Sequence, residues 1–75
     1  MFLEMITPDK KVFTGEVELV QLPGIDGLFE ILDNHAPMIS ILGKGKIKIK
    51  DKDAQVTYHD IIGGVVEVHQ NKVIV

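Results

Sequence analysis

The chain is 75 residues long, 45% hydrophobic and carries a net charge of −3 at neutral pH, which describes one small domain with enough apolar content for a core. It has no cysteine, excluding disulfides and thiolate metal sites, and its basic residues are all lysine, which argues against base or phosphate recognition through the arginine fork. No apolar run approaches the roughly 18 residues of a spanning helix, and Met1 to Ile6 is interrupted by Glu4 and followed at once by Pro8, Asp9, Lys10 and Lys11, unlike a signal peptide; a soluble domain is expected.

No segment keeps the i, i+3, i+4, i+7 apolar spacing of an amphipathic helix. Short β-branched runs recur instead between glycine, proline, asparagine and aspartate, which predicts an all-β, two-sheet β-sandwich of about nine or ten short, mainly antiparallel strands in a single domain over residues 1–75. Phe2 to Ile6 forms the first run, closed by Thr7-Pro8. Lys10 to Phe13 forms a second, closed by Thr14-Gly15. Glu16 to Leu22 shifts its apolar phase near Leu19-Val20, as a bulge would. Pro23 to Gly27 is a tight turn in which Gly24 and Gly27 supply backbone freedom. Leu28 to Leu32 leads into the loop Asp33-Asn34-His35-Ala36-Pro37, and Met38 to Leu42 is so apolar that both faces are expected to be covered. Ile47 and Ile49 alternate with Lys46, Lys48 and Lys50, a core face against a solvated one. Asp51-Lys52-Asp53 turns the chain into Ala54 to His59, where Val56 and Tyr58 alternate with polar neighbours. Gly63-Gly64 precedes Val65 to His69, and a two-residue turn at Gln70-Asn71 joins the last hairpin.

The residues offer little to catalysis. Ser40, the only serine, sits between Ile39 and Ile41 with no base near it in sequence and reads as a core hydroxyl. His35, His59 and His69 lack any spacing that prearranges two metal ligands. Asp51 and Asp53 begin like a calcium loop, but its glycine and closing glutamate are missing. Both glycine-rich turns run into strands, whereas a phosphate cradle opens a helix. No catalytic residue, metal or cofactor is expected. The loop Asn34 to Pro37, held between rigid strands, is a place to present contacts, and Ile25, Leu28 and Phe29 beside the glycine turn extend a surface patch or fill the core.

Several segments, in order, resemble the epsilon subunit of F-type ATP synthase: Leu22-Pro23-Gly24-Ile25-Asp26-Gly27, Ile31-Leu32-Asp33-Asn34-His35-Ala36-Pro37, Leu42-Gly43-Lys44-Gly45, and Gly63-Gly64-Val65-Val66-Glu67-Val68 with Asn71-Lys72-Val73. Thr7-Pro8 and Val12-Phe13-Thr14-Gly15 fit as well. The resemblance implies a non-catalytic β-sandwich at the foot of the rotor that grips the gamma subunit, rests on the polar loops of the proton-translocating c-ring, and supports assembly and the coupling of proton flow to ATP synthesis. It implies a peripheral place on the cytoplasmic face of a bacterial inner membrane, or in a chloroplast stroma. On the family's pattern Asn34, His35, Ala36 and Pro37 form the partner-facing loop, with Gly24 and Gly27 shaping a neighbouring turn and Gly63 and Gly64 a further one. Where the family commonly has Glu-Leu-Gly, this chain has Leu28-Phe29-Glu30, and Asp33 stands where proline is common; the ring contact then falls to Glu30, to Asp33 or to an apolar Leu28. Most members continue into a helical hairpin that restrains ATP hydrolysis, and the 75-residue chain is expected to couple without that arm. The alternative is a lipoyl or biotinyl carrier domain modified on Lys52, since Asp51-Lys52-Asp53-Ala54 resembles a carrier turn.

Overall fold

The computed structural model describes residues 1–6 and 11–75, and these form strands only. The strands are β1 (Phe2–Ile6), β2 (Lys11–Gly24), β3 (Gly27–Leu32), β4 (Met38–Leu42), β5 (Gly45–Asp51), β6 (Val56–Ile61), β7 (Gly64–His69) and β8 (Lys72–Ile74). The proline stop expected at Thr7-Pro8 and the start of the second run at Lys10 lie outside the described residues. Eight strands replace the nine or ten expected because the runs on either side of Thr14-Gly15 are one strand of 14 residues. Thr14 and Gly15 stay in register with Glu4 and Leu3 of β1, and an intact partner ladder carries the chain through a residue pair that in isolation signals a break.

This long strand organises the molecule. Its first half pairs with β1; its second half lies between β3 and β5. The register against β5 shifts between Val17 and Leu19, so the bulge sits at Glu18, just before the expected position, and bends β2 from one layer into the other. One layer then runs β2–β1–β8–β7–β4 and the other β3–β2–β5–β6. Among the described residues all pairings are antiparallel except β1 with β8. Between the layers, Leu3, Val66 and Val73 of the first meet Leu22, Ile31 and Ile47 of the second, each with no exposed surface. Fully burying such a side chain is worth about 1.5–3 kcal/mol, and the core is apolar throughout: no polar or charged residue is buried among the described residues.

Two strands depart from their sequence pattern. β4 is covered on one face only: Leu42 is 3% exposed, whereas Ile39 and Ile41 are 71% and 59% exposed. In a two-layer molecule nothing is left to cover a second face. In β6, His59 lies opposite Ile47 and Thr57 opposite Ile49, so these polar residues share the side of the core isoleucines, His59 half-buried and Thr57 exposed toward the strand's start, while Val56 and Tyr58 point outward, both exposed. The turn decides this. Asp51 accepts bonds at one carboxylate oxygen from the amides of Asp53 (2.9 Å) and Gln55 (3.0 Å), Ala54 takes a positive φ of 64°, and a turn so fixed sets the register whatever the hydrophobic alternation prefers. Asp51 and Asp53 thus belong to a charged turn. At the other hairpin Gln70 and Asn71 adopt φ of 50° and 59°, the left-handed pair a two-residue connection needs.

Candidate docking surface

Side-chain chemistry is dispersed. Ser40 is half-buried on the inner side of β4. His35 lies in the β3–β4 loop with Nδ1 2.8 Å from the Ala36 carbonyl oxygen, His69 is exposed at the end of β7, and His59 faces inward with its Nε2 buried and unpartnered among the described residues. No group of three histidine or carboxylate side chains gathers at metal-binding distance among the described residues.

The β3–β4 loop is built as a rigid corner. The His35 amide donates to the Leu32 carbonyl at 3.2 Å, Asn34 sits at φ 61°, and its amide donates to the Asn71 side-chain oxygen at 2.7 Å. Asp33 accepts from the Met1 ammonium at 2.8 Å, and that ammonium also donates to the Val17 carbonyl at 3.2 Å. The ammonium hydrogen bond, then the Asn71 side chain, then the ammonium's charge hold the Asp33 carboxyl below its ordinary value of 3.8. Asp33 is therefore engaged within its own domain, tying the loop to the start of β1 and to β2. Ala36 and Pro37 are exposed at the exit into β4.

The glycine turn is not the neighbour of this loop. Gly24–Gly27 precedes β3 and the loop follows it, so at about 3.3 Å per residue they lie roughly 20 Å apart. Gly27 has φ 131°. Gly24 is needed for a different reason: a Cβ there would stand 2.9 Å from the Gly27 carbonyl oxygen and 2.9 Å from the Phe29 ring. Gly63 and Gly64, at φ 154° and 142°, shape the β6–β7 turn, which carries the exposed Ile62. Along the outer face of β3 stand Leu28, Glu30 and Leu32, all exposed, with Glu30 accepting from the Gln21 side-chain amide at 3.3 Å. Leu28 thus belongs to the turn end of β3 and Asp33 to the loop end.

A larger apolar surface comes from β4. Ile39 and Ile41 border a groove shared with Ile25, Leu28, Phe29 and Ser40, between β4 and the β2–β3 turn. At the turn end of β2 the layers also meet through the Gly24–Leu42 bridge and the Gly43 amide donating to the Pro23 carbonyl at 2.8 Å. Sequence reasoning left Ile25, Leu28 and Phe29 between a surface patch and the core, and assigned Ile39 and Ile41 to the interior. The missing signal was architectural: with no helix among the described residues, no third layer covers a fully apolar strand.

A family model described as the ATP synthase delta/epsilon chain β-sandwich domain matches residues 1–75. The ATP synthase epsilon chain of Chlorobium limicola is 43% identical over 72 residues, covering 96% of this chain and 82% of that one. The ATP synthase epsilon chain of Maridesulfovibrio salexigens is 44% identical over 73 residues, covering 97% of this chain and 51% of its own length. A chain in the mitochondrial ATP synthase of Euglena gracilis, solved with OSCP, F1 and the c-ring, superposes with a TM-score of 0.89 over 96% of this chain and 46% of that one, at 19% identity; a chain from the central stalk and c-ring of the Tetrahymena thermophila mitochondrial ATP synthase gives 0.82 over 99% of this chain and 60% of that one, at 20% identity. At such identities the two structures speak for the fold. The family match spans the chain and leaves no segment to a carrier domain, and Lys52 lies 3.7 Å from Glu16 in a surface ion pair.

Proposed function

Because this chain belongs to the ATP synthase delta/epsilon β-sandwich family, we propose that it acts in the central stalk of an F-type ATP synthase, holding the gamma subunit and the c-ring together so that proton flow is coupled to ATP synthesis. The chain is a non-catalytic component of that complex. The observation that carries the docking role is the bare apolar face of β4. Ile39 and Ile41 are more than half exposed although the strand is rigidly paired with β7 along its whole length, and preformed apolar surface on a rigid element is the usual core of a protein interface.

The gamma subunit takes the outer face of β4 at Ile39 and Ile41, continued by the corner Asn34, His35, Ala36 and Pro37, which runs directly into β4. The c-ring meets the turn end, where Ile25 and Leu28 project. Of the three residues at which the ring contact was expected, Leu28 fits best, because Glu30 lies along the strand with Gln21 and Asp33 is held by Met1. The proposed position is peripheral, carried by the ring on the cytoplasmic face of a bacterial inner membrane; no helix among the described residues is long and apolar enough to cross a membrane. The test is reconstitution. Tagged chain added to synthase stripped of this subunit should capture gamma and restore proton-driven ATP synthesis, and failure to bind gamma at micromolar concentration would overturn the assignment.

A further inference from the structure

We propose that Asn71, in the β7–β8 turn, is the positioning residue of the β3–β4 corner: its carboxamide fixes the orientation of the Asp33–Asn34 peptide, and with it the direction in which His35, Ala36 and Pro37 are presented. The corner is a turn closed by the His35 amide on the Leu32 carbonyl at 3.2 Å, and of its two central residues only Asn34 has a positive φ, 61°. That is the pattern of a type II turn, which differs from the commoner type I chiefly in a reversal of the central peptide. The amide of that peptide belongs to Asn34, and it donates to Asn71 Oδ1 at 2.7 Å. An acceptor fixed on one side of the turn holds one of the two orientations and leaves the other with its amide turned away.

The other end of the same carboxamide is used as well. The Asn71 side chain bonds to the Asp33 carboxylate; a carboxylate only accepts, so Nδ2 donates there while Oδ1 accepts from Asn34. Asn71 is itself held in place. Its main-chain carbonyl accepts from the Phe2 amide of β1 at 3.1 Å, and its φ of 59° is a conformation that asparagine tolerates better than most residues. One residue thus joins the turn after β7, the start of β1 and the loop after β3. Aspartate in its place would keep the acceptor and lose the donor, whereas glycine would keep the backbone conformation and lose both. A role in docking rests on the stalk reading, in which Asn34 to Pro37 face a partner; the shaping of the corner is a property of the free chain.

The experiment compares wild type with Asn71→Gly and Asn71→Asp, by NMR on the free 75-residue chain and then by titration with the gamma subunit. In Asn71→Gly the Asn34 amide should exchange roughly three- to tenfold faster, with gamma binding weakened by a similar factor. The Asp33 carboxyl should titrate at higher pH in that variant, while the amides of β4 and β7 keep their protection. In Asn71→Asp the Asn34 amide should stay protected and the Asp33 titration alone should move upward. An Asn34 amide that exchanges in Asn71→Gly as it does in wild type overturns the positioning of the corner. A freed amide with unchanged gamma affinity overturns its part in docking, and both results leave the stalk role standing. A wild-type chain that does not bind gamma removes the stalk role instead, and exchange at Asn34 then still decides what shapes the corner.

Discussion

Adjacent residues on β4 make the sharpest comparison. Leu42 points into the core and Ile41 points out beside it, 3% and 59% exposed. Leu42→Ala deletes buried side chain and leaves a cavity, which costs about 2–5 kcal/mol, from a total stability of roughly 4–11 kcal/mol for a domain of this length. At about 4–8 °C per kcal/mol for this size, the melting temperature should fall by about 10 °C or more. Ile41→Ala removes a side chain already facing water, so stability should stay within about 0.5 kcal/mol of wild type. Its cost should appear in binding instead: truncating an anchor in a desolvated interface loses about 1–2 kcal/mol, roughly 5- to 30-fold in Kd. The assays are thermal and urea unfolding followed by circular dichroism, and titration of each variant with the gamma subunit. Should Ile41→Ala melt as early as Leu42→Ala, the outer face of β4 is covered in the free domain and the docking surface does not exist; should it melt normally and bind normally, the surface exists but gamma does not use it.

Further expectations follow from the turns, the loop and the edge strand. Gly24→Ala forces a Cβ against the Gly27 carbonyl and the Phe29 ring and should destabilise by about 1–3 kcal/mol. Gly27→Ala meets no atom within 4 Å but strains a φ of 131°, so its loss should be backbone strain alone, and crystal structures of both variants would separate displaced neighbours from a shifted dihedral. Asp33, with a carboxyl held below its ordinary 3.8, contributes stability that is complete above that value and lost as pH falls below it through the lowered folded value. The urea midpoint of Asp33→Asn should therefore drop at pH 7 and converge on wild type at the acid end, and an unchanged gap at pH 2 would refute the ion pair. His59→Leu removes a buried nitrogen without a partner among the described residues from an apolar layer and should raise the urea midpoint at pH 7, by up to about 1–3 kcal/mol in stability.

Much of the sandwich can be read directly from the residues. The Ile47/Ile49 alternation, the Gln70-Asn71 turn and the bulge beside Leu19 are local patterns, and local patterns are what a sequence displays most clearly. What escaped was set by partners distant in sequence. Thr14-Gly15 does not end a strand because β1 lies opposite; β4 is half bare because no other element can reach it; β6 shows its apolar side to water because the Asp51 turn fixes its register. The candidate site divides the same way. The family pattern located the Asn34 to Pro37 corner and the Gly24 to Gly27 turn, but only the strand between them shows that they stand at opposite ends, and only the fold brings Ile39 and Ile41 beside Leu28.

The bend of β2 at Glu18 has a mechanical consequence. Both halves of the sandwich share one uninterrupted backbone, so a twisting force delivered at the β4 side travels to the opposite half along covalent bonds as well as through interlocked side chains. Slippage of one half over the other would require the spine itself to give way.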